Sequence, residues 1–592
     1  MAQTFGQLLV NDLLPDDLKT DTTLGAKDLH RKLYTYAKRE PAAAAQAMDK
    51  IRQLGHEIAT TEGATITLDD ITPDYDARNA ILKPVLRKLQ TIDDPDKRRA
   101  MLTAAQTQLD QVASQFHGSQ GELVRSGTRG KPVQVRRSFL APVAAREVDG
   151  AAYPWLVHHS YSEGLRPSEY WATGIESRNN LIASHLAITE PGDFSKILVN
   201  NMGDQLILSE DCGTRNGIPM SSDDPNIIDR YLAEGDKRLI TAQLASQLRK
   251  TAKMVLVRSP MTCELNGGVC QKCYGLNERG KVQTLGTNIG IRSAQAITEP
   301  LTQFALSARH AVRQGGDDKA VVSGLRGLRQ FLEVPASFAN KATLASIAGT
   351  VDQVDRAPQG GSNVFIGKEL HYIPPNLMTT VRVGQQVLPG DVLSDGIPSP
   401  KEIVQFKGLG SGRKYVVDRL YDVYQNQGLD LDKRHFEVLA RAQLNHVQVD
   451  EDPKDQFTPG EIVNFALVQK RLADGAKTVR TQDAKDHILA ENRMYYTAGT
   501  QVTSRVVEDL LANGIKSVKI AINPPTLSFV MSPITSNPLL NPDWMARLGH
   551  RKLKQTIQEA AQYGQRADIH GTHPVPAYVH GVEFGQGPKG RY

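Results

Sequence analysis

The sequence predicts a multi-domain α+β protein, and three observations lead to that prediction. First, 592 residues exceed what one hydrophobic core organises, so several domains are expected. Second, residues 26–120 repeat apolar side chains at helical spacing, whereas residues 344–396 alternate short apolar runs with glycine and proline turns. Third, the cysteines form one group, which is typical of a small metal-bound module within a larger chain.

Composition narrows the class of protein. The formal net charge is only +5, and 40% of the residues are hydrophobic, as in packed globular cores. Such a mild positive excess is compatible with nucleic acid but is not a concentrated basic field. No window approaches eighteen consecutive apolar residues, and residues 1–5 lack the basic and apolar parts of a signal peptide. We therefore expect no membrane partner and a reducing, cytoplasmic location.

Four cysteines are the most specific signal in the chain: Cys212, and then the C-x6-C-x2-C group of Cys263, Cys270 and Cys273. Four thiolates saturate a zinc ion at about 2.3 Å and leave no open position for chemistry. Neighbouring glycines allow the tight turn of a zinc knuckle. We expect a structural zinc site. The alternative, four unrelated buried thiols, fits poorly with a sequence that has no cysteine outside the group.

Helices are predicted from their periodicity. Residues 26–120 contain an alanine-rich run at 41–45 and amphipathic stretches at 48–54 and 81–89, which predict long helices joined by polar turns. Toward the other end of the chain, residues 415–427, 432–438 and 539–561 also have a helical pattern.

A further long helix is predicted in the middle of the chain. Pro167 suits a first helical turn and Pro191 a stop, which gives a length of roughly 35–40 Å at about 1.5 Å per residue. Ile182 and Leu186 supply an apolar side, whereas residues 177–180 are polar. A helix of this length is long enough to cross a cleft; an ordinary amphipathic surface helix is the alternative.

One glycine-bearing segment is strongly basic. Residues 126–137 include Arg129 and Arg136. A flexible backbone that carries guanidinium groups suits bidentate recognition of phosphate oxygens. A solvated basic turn has the same composition, so the segment alone leaves both interpretations open.

Longer stretches resemble a known family. Residues 209–214 (Ser-Glu-Asp-Cys-Gly-Thr) and 257–275 resemble the second zinc-binding region of the β′ subunit of bacterial-type multisubunit DNA-dependent RNA polymerase. Residues 163–214 are similar to its bridge-helix region, residues 126–137 to its F-loop, and residues 290–310 to the start of its trigger loop. The likeness covers nearly the whole chain and implies the C-terminal part of β′.

The resemblance implies seven regions along the chain. In order, they are a helical secondary-channel rim region (1–120), the F-loop region (121–162), the bridge helix (163–192), the zinc-binding region (193–289), the trigger loop with its return arm (290–335), a small β-rich region, barrel-like and jaw-like (336–460), and C-terminal jaw or clamp elements (461–592).

The resemblance also implies roles for residues of the trigger loop. His310 would act on the phosphates as a proton donor or electrostatic stabiliser, Leu306 would lie against the nucleobase, and Gln303 would lie near the ribose. A family arginine that contacts phosphate falls on Ser307, and the nearest replacement is Arg309.

Other positions are implied to bind the substrate. Arg129 would face the triphosphate of an incoming nucleotide, with Arg136 and Arg178 as further cations. Ile188 and Thr189 stand where the family has a Thr-Ala pair beside the templating base. Sensing of the base pair is therefore expected to differ at that place.

The catalytic metal is expected on another chain. RNA polymerases hold magnesium in an Asn-Ala-Asp-Phe-Asp-Gly-Asp loop, and this sequence has no such run. The resemblance thus implies a subunit that supplies the bridge helix, trigger loop and structural zinc, and that is inactive alone. A partner, the N-terminal part of β′, would hold the magnesium. β-like chains, template DNA, nascent RNA and nucleoside triphosphates are the other expected partners.

A split β′ without a large trigger-loop insertion resembles that of giant bacteriophages related to φKZ. This likeness implies the cytoplasm of a bacterial host, or the virion, as location. The alternative function is a non-catalytic, zinc-containing scaffold for nucleic-acid binding or assembly, which Ser307 and Ile188 favour. The two functions differ in whether nucleotide addition requires His310 and Leu306.

Overall fold

The structure is a computed structural model in which two compact units divide the chain. One comprises Met1–Ala187 with Leu306–Lys319, and the other Ile188–Ala305 with Ala320–Tyr592. The residues that the structure describes are 5–21, 25–61, 65–145, 152–235, 237–265, 267–313, 328–329, 331–335, 337–338, 340–426, 429, 431–541, 544–549 and 553–566.

Helices and strands are mixed along the chain. The helices are α1 (Phe5–Asp12), α2 (Ala26–Arg39), α3 (Pro41–Thr61), α4 (Tyr75–Leu89), α5 (Pro95–Ser114), α6 (Gly118–Arg125), α7 (Pro132–Val135), α8 (Pro167–Met202), α9 (Ala242–Thr251), α10 (Gln271–Tyr274), α11 (Ile289–Arg313), α12 (Pro400–Asn426), α13 (Lys433–Gln443), α14 (Phe465–Ala473), α15 (Ser504–Ala512) and α16 (Leu553–Gln562). In the described part of the chain, none of them is both long and apolar enough to cross a membrane.

The strands form small sheets. They are β1 (Ile207–Ser209), β2 (Ile218–Ser221), β3 (Met254–Val257), β4 (Val269–Cys270), β5 (Gly349–Arg356), β6 (Ser362–Ile366), β7 (Glu369–Ile373), β8 (Gln386–Val387), β9 (His446–Glu451), β10 (Glu461–Asn464), β11 (Lys477–Arg480), β12 (Ser517–Ile520) and β13 (Thr526–Phe529). Their orders in the sheets are β1-β4, β2-β3, β7-β6-β5-β8, β10-β9-β13 and β11-β12.

Helices α4 and α5 build the core of the first unit, as the sequence predicted for residues 26–120. Leu82, Leu102 and Leu109 are fully buried there, together with Leu140 from the segment after α7. The start of α5 is fixed by Asp94, whose side chain accepts hydrogen bonds from the backbone N–H groups of the first turn. Amphipathic spacing and a strong cap therefore account for this helical region.

Helix α8 is longer than the sequence predicted. It runs through Pro191 to Met202, so the predicted stop at residues 191–192 is wrong. A proline within a helix costs about 3 kcal/mol, but Phe194, Leu198 and Met202 lie on one face and are fully buried. Burial of three such side chains contributes about 1.5–3 kcal/mol each and outweighs that cost. With 36 residues, the helix is about 54 Å long.

Two carboxylates fix the start of α8. Glu169 lies in the first turn and accepts hydrogen bonds from the backbone N–H groups of His158 (2.8 Å) and Arg166 (2.9 Å). Glu163 accepts from Ser160 and pairs with Arg78 of α4. Although burial opposes ionisation of both carboxyls, these hydrogen bonds lower the pKa of Glu163 and of Glu169. The loop before α8 is therefore held to the helix and to α4.

The β-rich prediction for residues 344–396 is confirmed in outline. β5 to β8 form an antiparallel four-stranded sheet, and their inward side chains, including Val351, Val364 and Ile366, are fully buried. Near the end of this region, Val392 forms only an isolated antiparallel bridge with Leu344.

The C-terminal helix is shorter than predicted. Instead of one helix over residues 539–561, the chain forms 3-10 turns at Asn537–Leu540 and Ala546–Gly549 before α16. Asn541 precedes a proline and takes the extended backbone conformation that this position favours. The proline therefore ends the first turn before an α-helix is established.

A buried ion pair joins the first half of the second unit to α13. Arg230 donates to both carboxylate oxygens of Glu437 at 2.7 and 2.9 Å, and the two side chains are 1% and 0% exposed. Ser259 also donates to Glu437, at 2.6 Å. Because every charge here is paired and hydrogen-bonded, the pair is strongly sensitive to the removal of one partner.

We expect Glu437→Gln to destabilise the protein by about 3–5 kcal/mol, because Arg230 is left buried without its counter-charge. Guanidinium-induced unfolding followed by circular dichroism measures the change. Asp483→Asn, which removes a carboxylate from an exposed pair with Arg480, is the control and should leave the unfolding midpoint unchanged. Equal midpoints for Glu437→Gln and the wild type would contradict the prediction.

Candidate metal centre

The four cysteines meet at one point in the second unit. Their sulfur atoms all lie within 4.8 Å of one another, and those of Cys212 and Cys273 are 3.7 Å apart. Sulfur ligands at about 2.3 Å from a tetrahedral zinc stand about 3.8 Å from each other. Cys263, Cys270 and Cys273 are buried, while Cys212 is half-buried. The arrangement is thus close to a closed tetrahedral site.

Strand pairing brings the distant cysteine to the others. β1 pairs in parallel with β4, with Ser209 opposite Cys270, so Cys212 follows directly after the pairing ends. The approach is close at Gly268, whose φ is 54° and where a Cβ atom would lie 2.5 Å from the carbonyl oxygen of Leu206. A side chain at that position would force β1 and β4 apart.

The C-x2-C turn directs its backbone at the sulfurs. The N–H of Cys270 donates to the sulfur of Cys263, and the N–H of Cys273 to that of Cys270, each at 3.4 Å. Cys270 caps the single turn α10, and Gly275 ends it with a φ of 83°. Such N–H groups favour the thiolate form that metal binding requires.

The donor set fits zinc. Burial, together with hydrogen bonds to the other cysteines, raises the pKa of the Cys273 thiol. Hydrogen bonds from the same group lower the pKa of Cys212. The four sulfurs therefore cannot all ionise side by side unless a cation lies between them. A zinc ion would supply that cation, and four soft ligands would leave no position for a substrate, so its role would be structural.

Charged side chains surround the sulfurs. Arg258 is fully buried and directs Nη2 at the sulfurs of Cys212, Cys270 and Cys273, at 3.1, 3.3 and 3.2 Å. Its Nη1 donates to Asp211 at 2.7 Å. Although burial opposes ionisation of Asp211, hydrogen bonds from Lys272, a backbone N–H and Arg258 lower its pKa to about 2.

Helix α13 supports the centre from behind. Arg441 donates to the carbonyl oxygens of Pro260, Cys263 and Leu265 at 3.1, 2.9 and 2.7 Å. These bonds orient the loop that carries the second cysteine. Charge-assisted bonds to three carbonyl oxygens of one loop stabilise the loop as well as positioning it.

Of the predicted substrate-binding residues, Arg129 follows α6, and Arg178, Ile188 and Thr189 are on α8. Arg129 is exposed, and its backbone N–H donates to the carbonyl of Leu123. Arg178 and Thr189 are exposed on α8. Ile188 is also within α8, and its side chain lies outside the described residues.

Arg136, a further predicted substrate contact, is buried in the first unit. Its side chain is 2% exposed, and it donates to Asp110 at 2.7 Å and to the carbonyl oxygens of Ala141 and Pro142. Burial lowers the pKa of this guanidinium, against the effect of Asp110. These contacts engage Nε and Nη1 within the first unit, so Arg136 holds the end of the basic segment in place.

The predicted trigger-loop residues lie on α11. The backbone of Gln303, Leu306, Arg309 and His310 is helical, and their side chains lie outside the described residues. The later part of the predicted loop, residues 314–327, also lies outside them.

Sequence reasoning missed the cations around the centre. Arg258 and Arg441 have no motif of their own, and Asp211 was one acidic residue among many. A signal was nevertheless present: Arg258 follows directly on the apolar strand β3, where a charged residue needs a specific partner.

Comparison with known protein families gives one match to this chain. The family model described as RNA polymerase Rpb1, domain 5, matches residues 164–363 and 369–461, which contain α8, the cysteine centre, α11 and α13. The match takes in just under half of the chain. It shows that this part of the chain is similar to an RNA polymerase family.

Curated relatives point to one subunit of RNA polymerase, β′. The DNA-directed RNA polymerase β′ subunits of Micrococcus luteus and Tropheryma whipplei are each 26% identical, over 86% and 88% of this chain and 44% of each subunit. That of Acetivibrio thermocellus is 26% identical over 86% of this chain and 49% of the subunit. The chain spans about half the length of the curated relatives it matches. These similarities support a C-terminal part of β′.

Removal of a ligand should release the metal. We expect purified wild type to carry zinc in a single equivalent and Cys263→Ser to lose it on gel filtration with a mild chelator, because three thiolates no longer close the site. Metal content is measured by plasma mass spectrometry. Ser246→Ala, at an exposed position of α9, is the control. Retention of zinc by Cys263→Ser at the wild-type level would contradict the assignment of the centre.

Proposed function

We propose that the protein is a β′ C-terminal part of a multisubunit DNA-dependent RNA polymerase and takes part in template-directed nucleotidyl transfer. The observation that carries this proposal is the match of residues 164–363 and 369–461 to an RNA polymerase family in a chain whose four cysteines close one site. The activity belongs to the assembled complex, in which the 3′ hydroxyl of the RNA attacks the α-phosphate of a nucleotide.

We assign parts of the reaction to two helices. α8 serves as the bridge helix, with Arg178, Ile188 and Thr189 toward nucleic acid or nucleotide, and Arg129 contacts phosphate. α11 serves as the first arm of the trigger loop. On it, Leu306 lies against the base and Gln303 near the ribose. His310, with Arg309 beside it, acts on the phosphates.

The magnesium of this reaction is assigned to a partner chain. Among the described residues, the group of ligand side chains able to hold an ion is the cysteine centre, and it offers no carboxylate. Soft thiolates do not suit magnesium, which takes oxygen ligands. The N-terminal part of β′, with β-like chains, DNA, RNA and nucleoside triphosphates, completes the proposed complex.

The described base of α11 supports this assignment, because it is firmly anchored. Buried Ser293 is hydrogen-bonded to His435 of α13 at 3.0 Å, and Thr298 to Ser195 of α8 at 3.2 Å. The hydroxyl of Tyr424 donates to the carbonyl oxygen of Ile297 at 2.6 Å. A helix that must move or act beyond its base benefits from such a fixed support.

The Tyr424 bond lies next to an irregular turn. Pro300 is inside α11 and has no N–H to donate to the carbonyl oxygen of Ala296, the residue next to Ile297, so the helical bonding is incomplete there. Burial raises the pKa of Tyr424, so its phenol remains a proton donor. The tyrosine therefore adds a hydrogen bond beside the proline turn, at Ile297, six residues before Gln303.

The first test is primer extension on a DNA and RNA scaffold by the complex purified through this chain. We expect His310→Ala to slow extension about 10²–10⁴-fold, the range of general acid–base contributions. His56→Ala, exposed on α3, is the control and should extend like the wild type.

The outcomes separate the two functions. Extension that is indifferent to His310→Ala would overturn the role of this histidine but not the assignment of the subunit. A complex that extends no primer and copurifies with no chain carrying the aspartate loop would support the non-catalytic scaffold.

A second test addresses the base of α11. We expect Tyr424→Phe to slow extension about 5–10-fold, because a hydrogen bond of about 1 kcal/mol is lost beside the proline turn. Tyr421→Phe is the matched control: this tyrosine lies one turn earlier on α12, and its hydroxyl accepts from Asn226, whereas that of Tyr424 donates to α11. Equal rates for the two variants would show that the Tyr424 hydroxyl does not position α11.

We also propose a split β′ of the giant-bacteriophage kind, expressed in the host cytoplasm or packaged in the virion. The support is the departure from the family at Ile188 and Ser307 and the short span between the arms at residues 290–335. Mass spectrometry of purified virions and of infected cells tests it; a chain present only in uninfected bacteria would overturn it.

A further inference from the structure

The metal centre carries a charge that needs compensation. Zinc bound by four thiolates has a formal net charge of −2, and three of the four cysteines are at most 5% exposed. Uncompensated charge in a buried place is costly, and it is relieved by protonation of a ligand or by loss of the metal. The residues around the sulfurs therefore decide how firmly the ion is held.

Arg258 is placed to compensate that charge. Its Nη2 lies over the face formed by the sulfurs of Cys212, Cys270 and Cys273, at 3.1–3.3 Å from each. The fourth sulfur, of Cys263, instead receives the backbone N–H of Cys270. All four ligands thus have a hydrogen-bond donor, and within the described residues Arg258 is the guanidinium recorded in contact with the sulfurs.

The burial of Arg258 also indicates that the cysteine sulfurs are its main partners. The side chain is 0% exposed, and its carboxylate partner Asp211 is 27% exposed and shared with Lys272. One partly hydrated, shared carboxylate compensates a fully buried guanidinium only in part. The remaining attraction comes from the thiolates, so Arg258 and the metal-loaded centre stabilise each other.

We propose that Arg258 is a positioning residue for zinc: its guanidinium acts as the built-in counter-cation of the zinc–thiolate centre and slows release of the metal. The cation lies at hydrogen-bond distance from three sulfurs, so it would offset the negative charge of the loaded centre and make separation of a ligand from the ion less favourable. The proposal concerns the metal centre alone and does not depend on polymerase activity.

A set of variants separates charge from packing. Arg258→Met removes the charge at similar length, Arg258→Gln removes the charge but keeps an amide donor, and Arg258→Lys keeps a cation. Arg413→Met is the matched control, because Arg413 is also buried but donates to the carbonyl oxygens of Leu444 and Met261 and not to sulfur.

Transfer of zinc from the full chain to a chromogenic chelator measures release. We expect Arg258→Met and Arg258→Gln to lose zinc about 10–100-fold faster than the wild type, the range typical of residues that support metal ligands. Arg258→Lys should stay closer to the wild type, and Arg413→Met should release zinc at the wild-type rate. Wild-type release from both neutral variants, or equally fast release from Arg413→Met, would overturn the proposal.

The absorption spectrum of cobalt-substituted protein is a second measurement, and the energy of its charge-transfer band does not depend on the overall stability of the fold. In Co²⁺-loaded protein, the thiolate-to-cobalt charge-transfer band should shift to lower energy in Arg258→Gln, because sulfur lone pairs rise in energy without the cation. The band should not shift in Arg413→Met. An unshifted band in Arg258→Gln would overturn the proposal even if zinc release were faster.

Discussion

Compensation of buried charge is the constraint on which the second unit depends. Three arginines of this unit have anionic or carbonyl acceptors. Arg258 contacts the cysteine sulfurs, Arg441 donates to carbonyl oxygens of the cysteine loop, and Arg230 pairs with Glu437 of α13. Each guanidinium has a defined acceptor. If one acceptor is removed, a buried cation remains unpaired, and the elements it joins lose their common support.

The same framework reaches the helices that we assign to catalysis. α13 holds the cysteine loop through Arg441 and the base of α11 through His435, while α12 adds Tyr424. The structural metal and the base of α11 therefore share one rigid support. A site that positions a nucleotide requires such rigidity, since small displacements of positioning groups cost much of the rate.

Several elements were predictable because their signal is local. The cysteine spacing specified the metal centre, and the amphipathic period specified α4 and α5. The predicted stop at Pro191 was wrong because the free energy gained by burying Phe194, Leu198 and Met202 exceeds the local cost of a proline within the helix. The inward position of Arg136 was not predictable for a similar reason: composition shows a basic segment but not which guanidinium faces inward.

The sequence by itself determined the ligands of the metal, the helical N-terminal region and the likeness to β′, because each is encoded in spacing or in a run of neighbours. Only the tertiary structure decided where α8 ends, that Arg258 lies at the sulfurs and that Tyr424 meets the proline turn of α11. These features join residues far apart in the chain. Their energies depend on burial and on the partner reached, and neither is present in a local pattern.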